Sequence, residues 1–291
     1  MSLIQDHLTA EPAPPIDPEA PLLGEIGHLQ TRLARSQSEI LSAQSVRYQV
    51  FYGEMGGQPS DEIRLAQRDQ DNFDPHCDHL LVLDTGGQVG TGSANVEIVG
   101  TYRMMRHEQA RQAGGFYSQS EYDLTPLIVA NPTCKFLELG RSCILPDYRN
   151  KRTMELLWHG TWSHAVTHGI DIMFGCASFE GTDPTRYTES LSWLAQNVVL
   201  DDHEDCPAVA ANSINLRQLT NAPDRQVTAR QAMANLPPLI KGYLRLGAQI
   251  ASHAVVDEQF GTIDVLVVLK VARINPRYLS HYGADASRFA T

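Results

Sequence analysis

The segment from 135 to 177 most constrains the fold of this chain, because it holds a strand, a long amphipathic helix and a second strand in succession. Lys135 to Leu145 has the composition of a strand, and Ile170 to Ala177 has that of a buried strand. Between them, Lys151 to His168 places apolar side chains at helical spacing and ends at Gly169, a residue type that commonly follows a helix. A strand–helix–strand unit of this kind predicts a mixed α/β sheet.

Other segments extend this pattern on both sides. Ser38 to Glu54 has apolar residues at helical spacing and predicts the first helix. His79 to Leu83 and Val96 to Met104 predict strands that are separated by a glycine-containing turn. Near the end, Leu239 to Ala251 predicts a helix and Thr262 to Val271 a strand.

The chain of 291 residues predicts one folded domain preceded by a tail. Four prolines between Glu11 and Pro18 are unfavourable for helix and sheet, so we expect a flexible tail over 1–36, with a short amphipathic turn near Leu22 to Leu33. The domain is then expected over 37–291, with a helical insertion around 185–250.

Composition and charge exclude several classes of protein. The formal net charge of −11 argues against a general nucleic-acid binder, whose surface is basic. The five cysteines are odd in number and contain no C-x-x-C pair, which favours reduced thiols in a cytoplasmic protein. We find no signal peptide, and the run Val265 to Leu269 is far shorter than the ~20 residues of a membrane span. Peripheral membrane contact stays open.

Two charged features lie ahead of the central unit. Arg47 shares the apolar face of the first helix, so its guanidinium either extends to the edge of that face or has a carboxylate or ligand partner. Asp71, Asp74 and Asp78 fall within eight residues. Three carboxylates so close together fit either a solvated loop with an Asx-turn or a site for an ammonium group.

Glu138 and Arg141 place two charges inside an otherwise apolar strand. A regular pleat would point them to opposite faces, but Gly140 permits a bulge that changes this. The pair is either a structural salt bridge or a carboxylate for proton transfer beside a cation that binds an anion.

The start of the long helix is basic. Arg149-Asn150-Lys151-Arg152-Thr153 combines three cations with the free backbone N–H groups of a helix N-terminus. Such an end attracts phosphate, although it can also be a simple exposed helix start.

Taken in order, the motifs resemble a known family. The shorter motifs are Arg47-x-x-x-Phe51, Asp71-x-x-Asp74, Gly100-Thr101-Tyr102-Arg103, Glu138-x-x-Arg141 and Pro146-x-x-Arg149. They resemble acyl-homoserine lactone synthases, members of the GNAT acyltransferase superfamily that use acyl-carrier-protein thioesters.

Longer motifs are more similar to the ornithine-acyl-ACP N-acyltransferases, which start ornithine-lipid synthesis. This resemblance covers about 40 to 284. Its motifs are Asp78-His79-Leu80, Glu138-Leu139-Gly140-Arg141-Ser142-Cys143, Phe174-Gly175-Cys176-Ala177-Ser178-Phe179-x-Gly181-Thr182-Asp183-Pro184 and Leu236-Pro237-Pro238-Leu239-Ile240-Lys241-Gly242-Tyr243-Leu244-Arg245-Leu246-Gly247.

The resemblance implies a GNAT fold, in which the mixed central sheet splays between two parallel strands and helices cover both faces. The phosphopantetheine arm of acyl carrier protein would enter the split beside Cys143 and Ile144, with its phosphate near Arg149 to Thr153 and no tightly bound cofactor. The usual GNAT loop, Arg/Gln-x-x-Gly-x-Gly/Ala, is altered here, because Arg152 and Met154 replace its small residues. This favours a carrier protein, which has a single phosphate, over coenzyme A.

The resemblance also implies roles in transferring a 3-hydroxyacyl chain to the α-amine of L-ornithine. Glu138 would act as the base, directly or through water, and a backbone N–H near Cys143 would stabilise the oxyanion. Arg141 and Arg103 would bind the acceptor carboxylate or hold Glu138. On the acceptor side we expect Arg47, Phe51, Asp71, Asp74, Asp78 and Arg103; the three aspartates would order the cationic acceptor or pair with Arg47.

Several alternatives stay open from sequence. The acceptor could be another amino acid, or the chain could be a non-catalytic module that binds carrier protein or the inner membrane face. Asp264, just ahead of an apolar run, either orients the acceptor or has a structural role. His164 and His168 have a spacing that can bind zinc, but no third ligand accompanies them, so we predict no metal. Cys143 and Cys176 lie in apolar strands, and we expect their side chains to pack in the core and not to act as nucleophiles.

Overall fold

The computed structural model describes residues 17–86, 96–219 and 229–274. The proline-rich segment that starts at Glu11 lies outside these residues up to Ile16.

A nine-stranded sheet forms the centre of the protein, in the order β1-β2-β3-β4-β5-β6-β9-β8-β7. Neighbouring strands are antiparallel except for β5 and β6, which are parallel. The predicted mixed sheet is therefore confirmed. The strands are β1 (Leu22–Ile26), β2 (Leu29–Leu33), β3 (Asp78–Asp84), β4 (Glu97–Arg106), β5 (Phe136–Ile144), β6 (Ile172–Glu180), β7 (Ser213–Asn215), β8 (Gln249–Asp257) and β9 (Thr262–Lys270).

The predicted tail boundary at residue 36 is wrong. Strands β1 and β2 form a hairpin at the edge of the sheet, and β2 pairs along its whole length with β3. The turn passes through Gly27, whose φ of 65° suits glycine. Buried Leu29 and Thr31 belong to the folded protein, because β2 covers this edge of β3, whose five central residues are buried.

The predicted long helix is confirmed at both ends. Helix α5 (Lys151–His168) begins after Asn150, whose side chain accepts hydrogen bonds from two backbone N–H groups, and ends at Gly169 with φ 61°. It packs across β1 to β4. Gly160 allows the close approach, because a Cβ there would lie 2.8 Å from the Thr31 hydroxyl and 2.9 Å from Leu80.

The first helix is also confirmed, but it changes its hydrogen-bond pattern. Helix α1 (Gln37–Tyr48) continues directly into a π-helical segment, Gln49–Glu54. The remaining helices are α2 (Asp61–Ala66), α3 (His107–Ala113), α4 (Thr125–Ala130), α6 (Thr188–Asn197), α7 (Leu216–Leu219), α8 (Ala229–Asn235) and α9 (Pro238–Leu246). None of the described helices has the length and apolar character needed to cross a bilayer.

In its described parts, the segment expected as a helical insertion contains the helices α6, α7, α8 and α9, with two corrections. Strand β7 interrupts it, and the helix predicted over Leu239 to Ala251 ends at Leu246, after which Gly247 turns the chain into β8. The buried side chains of the 185–250 segment, Leu191 and Ile240 among them, belong to the same apolar cluster as the buried residues of the strands.

The sheet opens between β5 and β6. Only three residue pairs join these strands, from Phe136–Ile172 to Glu138–Phe174, although both strands continue for six more residues. At the last contact Gly175 faces the Leu139 carbonyl so closely that a Cβ would lie 2.1 Å from its oxygen. Beyond this point β6 pairs only with β9, so the facing edge of β5 is open.

The close approach of Gly175 to Leu139 predicts that Gly175→Ala forces β5 and β6 apart. Because the contact is with backbone, relief needs strand movement, and we expect a loss of about 2–4 kcal/mol in the free energy of unfolding. Urea denaturation measures it. Gly140→Ala is the matched control, since a Cβ there meets nothing within 4 Å. Equal stability of the two variants would contradict the prediction.

Candidate active site

A cavity of about 460 Å³ occupies the opening between β5 and β6. Strand β5 forms one wall, the π-helical segment and α9 add apolar side chains, and β6 and β9 form the opposite side. The cavity is lined by several of the residues predicted from sequence, namely Phe51, Arg103, Glu138, Arg141, Cys143, Ile144 and Arg149.

Glu138 is the last residue of β5 that pairs with β6, and its carboxylate is fixed by hydrogen bonds from Tyr117 and Ser118. Oε2 accepts a hydrogen bond from Tyr117 N–H (2.8 Å), and Oε1 accepts from the Ser118 N–H (2.7 Å) and hydroxyl (2.5 Å). Burial raises the pKa of Glu138, although these donors and the Arg103 charge stabilise the ionised form. The group is therefore fixed in position and still faces the cavity.

Arg141 reaches the same cavity because β5 bulges. The register of β4 and β5 shifts by one residue between Thr101 and Arg103, and Arg141 has φ 53°, so the positive φ falls on Arg141 and not on the predicted Gly140. The guanidinium lies 4.7 Å from the ring centre of Tyr117 and 5.0 Å from that of Phe260.

Glu138 and Arg141 form no ion pair with each other in the described part of the chain. Arg141 pairs with Asp69 (3.1 Å) and Asp71 (3.5 Å) instead. The salt-bridge interpretation of this pair is therefore wrong, and both groups face the same cavity separately.

A buried network of three arginines and three aspartates stands behind the cavity wall. Arg47 is fully buried and donates to Asp69 (2.7 Å) and to both oxygens of Asp74 (2.9 and 3.0 Å). Arg103 donates to Asp71 (2.6 Å) and Asp74 (3.2 Å). Three positive and three negative charges offset one another, which is how buried charges are tolerated. Asp69 was missed from sequence, since only its neighbours fitted a spaced motif.

The ion pairs show what Asp71, Asp74 and Asp78, the acidic cluster found in the sequence, contact in the fold. Asp74 pairs with Arg47 and Arg103, and these cations hold its pKa below the usual range despite burial. Asp78 pairs with Arg106 (3.2 Å) and lies 3.3 Å from His164. The predicted aspartates are thus already occupied by this chain's own cations.

Among the predicted donor residues at the start of α5, Arg149 lines the cavity, whereas Asn150, Lys151 and Arg152 line a separate pocket beside the β1–β2 hairpin. Thr153 is fully buried. Arg149 donates to both carboxylate oxygens of Glu54 (2.5 and 2.6 Å) and to the Ile144 carbonyl (3.0 Å). The Asn150 side-chain oxygen accepts from the N–H groups of Arg152 and Thr153. Lys151 is exposed, and Arg152 beside it is also exposed.

A second acidic cluster, formed by Glu121, Asp257 and Asp264, was found only in part from sequence. Their carboxylate oxygens lie within 4.8 Å of one another. Burial, together with the neighbouring carboxylates, raises the pKa of Glu121 to about 7 and that of Asp264 to about 6. Asp264 was visible as a charge beside an apolar run, whereas the fold alone brings Glu121 from a distant loop.

The thiols of the site favour no covalent mechanism. Burial raises the pKa of Cys143 to about 12 and that of Cys176 well above its ordinary value. A thiol that stays protonated is a poor nucleophile, which agrees with the structural role expected for both.

The buried network predicts that Asp74→Asn destabilises the protein strongly. Arg47 and Arg103 would lose the carboxylate they share, at a cost of about 3–5 kcal/mol in the free energy of unfolding. Urea denaturation at pH 7 measures the change. Asp61→Asn is the control, because Asp61 pairs with Arg64 on the exposed surface, where a pair contributes about 0–1 kcal/mol. A similar small change in both variants would refute the network's role.

The second acidic cluster predicts a pH-dependent gain in stability for Glu121→Gln. The pKa of Glu121 is raised in the fold, so its favourable contribution is complete below about 4.5 and is lost as the pH rises through about 7. We expect the variant to exceed the wild type by about 1–2 kcal/mol at pH 8 and to match it near pH 4.5.

Urea midpoints at the two pH values measure this difference. Exposed Glu62→Gln is the control and should follow the wild type at both. A Glu121→Gln variant that is less stable than the wild type at pH 8 would show that the carboxylate is paired.

The chain is similar to known proteins in sequence and in fold. The family model of the acetyltransferase (GNAT) domain matches residues 46–159. A solved N-acyl amino acid synthase from uncultured soil microbes aligns with 84% of this chain and 91% of its own, at 12% identity and a TM-score of 0.45.

Curated relatives are much more similar. A protein of Rhizobium meliloti (strain 1021) named L-ornithine N(alpha)-acyltransferase is 50% identical over 94% of this chain and 90% of its own length. One of the same name from Brucella abortus (strain 2308) is 48% identical over 93% and 94%. The predicted GNAT fold and acyltransferase activity are confirmed, and the chain belongs to the L-ornithine N(alpha)-acyltransferase family.

Proposed function

We propose that this N-acyltransferase moves a 3-hydroxyacyl group from acyl carrier protein to the α-amine of L-ornithine, giving the lyso-form of an ornithine lipid. The observation that carries the proposal is the opening between β5 and β6, with Glu138 and Arg141 facing one cavity. The names of the relatives support ornithine as the acceptor.

The open edge of β5 suits the donor arm. Beyond Glu138 the backbone of β5 has no strand partner on the β6 side, so its N–H and carbonyl groups are available to an extended chain. A phosphopantetheine arm contains amide groups that pair with such an edge. Cys143 and Ile144 line the cavity along this edge, where the thioester would lie.

The helix start favours a carrier protein over coenzyme A. The N–H groups of Arg152 and Thr153 are already bonded to the Asn150 side chain, and no glycine is present to let a pyrophosphate approach. Exposed Lys151 and Arg152 follow Arg149, which lines the cavity, within three residues, and they would attract an acidic carrier despite the net charge of −11.

Glu138 is the base in this proposal. The acceptor enters as an ammonium, which must lose a proton before its nitrogen can attack the thioester carbonyl. Glu138 takes that proton, directly or through water, the C–N bond forms, and the C–S bond breaks. The leaving thiolate recovers a proton as the amide is released. A backbone N–H near Cys143 stabilises the oxyanion, and Arg141 binds the acceptor carboxylate.

The product combines a long acyl chain with a charged headgroup. Because such a molecule is amphiphilic, the proposal includes release at the inner membrane face and peripheral contact of the enzyme with it.

The proposal predicts an N-acylornithine product that depends on Glu138. Purified protein would receive 3-hydroxypalmitoyl carrier protein and a pool of the twenty amino acids with ornithine, with products read by mass spectrometry. We expect N-acylornithine from the wild type and a rate about 10²–10⁴-fold lower from Glu138→Gln. The variant's thermal unfolding is measured beside it, and exposed Glu62→Gln is the control.

Each other outcome removes a defined part of the proposal. A different acyl amino acid would refute ornithine as the acceptor. Equal rates with the coenzyme A thioester would refute the carrier-protein donor. Full activity in folded Glu138→Gln would refute the base and leave Glu138 as an anchor for the Tyr117–Ser118 segment.

A further inference from the structure

We propose that Glu121, Asp257 and Asp264 bind the side-chain ammonium of the acceptor and so make the enzyme selective for diamino acids. The inference rests on the proposed function and assigns the part of the site that distinguishes ornithine from neutral amino acids.

The aspartates of the buried arginine–aspartate network and the carboxylates of the second acidic cluster differ in their cation partners. Asp69, Asp71 and Asp74 are neutralised by three arginines, so they offer nothing to an incoming cation. Within the described ranges, no arginine, lysine or histidine forms an ion pair with Glu121, Asp257 or Asp264. The charge of Arg141 is near enough to lower the pKa of Glu121 and of Asp264, but its ion pairs are with Asp69 and Asp71.

Two buried side chains beside the cavity, Asp264 and Thr262, have unused hydrogen-bonding capacity. Asp264 is 7% exposed, and the hydroxyls of Ser178 and Thr262 lie near enough to its carboxylate to lower its pKa, but its Oδ1 makes no hydrogen bond of normal geometry among the described residues. Thr262, two residues earlier on the same face of β9, is 2% exposed and its hydroxyl oxygen also makes no such bond there. Both residues line the cavity. Buried polar atoms are normally bonded, so a buried carboxylate oxygen beside the cavity without such a bond can accept one from a ligand.

A primary ammonium fits this arrangement. It presents three N–H donors from one centre, and the cluster presents three carboxylates whose oxygens lie within 4.8 Å of one another. The other bonds of the cluster leave room for it, since Asp257 Oδ1 accepts the N–H groups of Gln259 and Phe260 and Glu121 Oε2 accepts the Cys176 thiol (3.4 Å).

The second acidic cluster also lies close to Glu138, the base of the proposed reaction. Cys176 contacts Glu121 on one side and Ser118 on the other, and Ser118 holds Glu138. One cysteine side chain therefore separates the cluster from the hydroxyl that fixes the base. In extended ornithine the two nitrogens are about 6 Å apart across five bonds, so one molecule would present its α-amine to Glu138 and its terminal ammonium to the cluster.

The test compares ornithine with norvaline, which has the same carbon chain and α-amine but no side-chain ammonium. We measure kcat and KM for both acceptors with the wild type, Asp264→Asn and Glu121→Gln, using 3-hydroxypalmitoyl carrier protein as the donor. Asp61→Asn, which removes a carboxylate from the exposed surface, is the control and should leave all values unchanged.

We expect the wild type to prefer ornithine by about 100-fold or more in kcat/KM, since a charged group pairs with buried partners. In Asp264→Asn this preference should fall at least about 10-fold, mainly through a higher KM for ornithine. The kcat/KM for norvaline should change less than about 3-fold. A structural role would change both acceptors together, so the ratio separates the two explanations even if the variant is less stable.

The outcomes separate this inference from the proposed function. If the wild type acylates ornithine but the ornithine-to-norvaline ratio is the same in every variant, the ammonium site is refuted and the function stands. If the wild type does not acylate ornithine, both are refuted. Calorimetric titration with Ca²⁺ and Mg²⁺ gives a further test, because binding that is lost in Asp264→Asn would assign the cluster to a metal ion instead.

Discussion

The three-residue pairing of β5 with β6 is the constraint on which the site depends. Both strands are held firmly on their outer edges, β5 by β4 and β6 by β9, so the separation between them is built into the sheet. Gly175 permits the last close contact, at Leu139, and the bulge at Arg141 begins just beyond it. The open backbone edge, Glu138 and Arg141 therefore meet at one place because the sheet stops pairing there.

Charge is distributed in two different ways around this opening. Behind the wall, arginines and aspartates neutralise one another, and the fully buried Arg47 ties helix α1 to the loop that carries Asp69 and Asp74. Such a network gives rigidity, since losing one member leaves the others buried without a partner. The network positions Arg103 and Arg141, whose side chains also line the cavity.

Beside the cavity, the carboxylates of Glu121, Asp257 and Asp264 lie together without a pairing cation from the described chain, and Asp257 and Asp264 line the cavity itself. Such an arrangement is unfavourable in the empty protein, because burial and mutual repulsion both disfavour the charged forms. Sites that bind a charged substrate commonly carry this kind of cost in stability. It is offset when a cation of matching shape enters.

The sequence by itself determined the order and type of the central elements, because helix periodicity, capping residues and apolar strands are local signals. It also identified Glu138, Arg141 and Arg47, since charges in apolar surroundings stand out along the chain. Only the tertiary structure decided what those charges contact. Asp69 and Glu121 carry no local pattern, and the 22–33 hairpin looks like a turn until β3 is present to pair with its second strand, β2. Partners far apart in sequence are brought together by sheet pairing and burial, and neither can be read from one segment at a time.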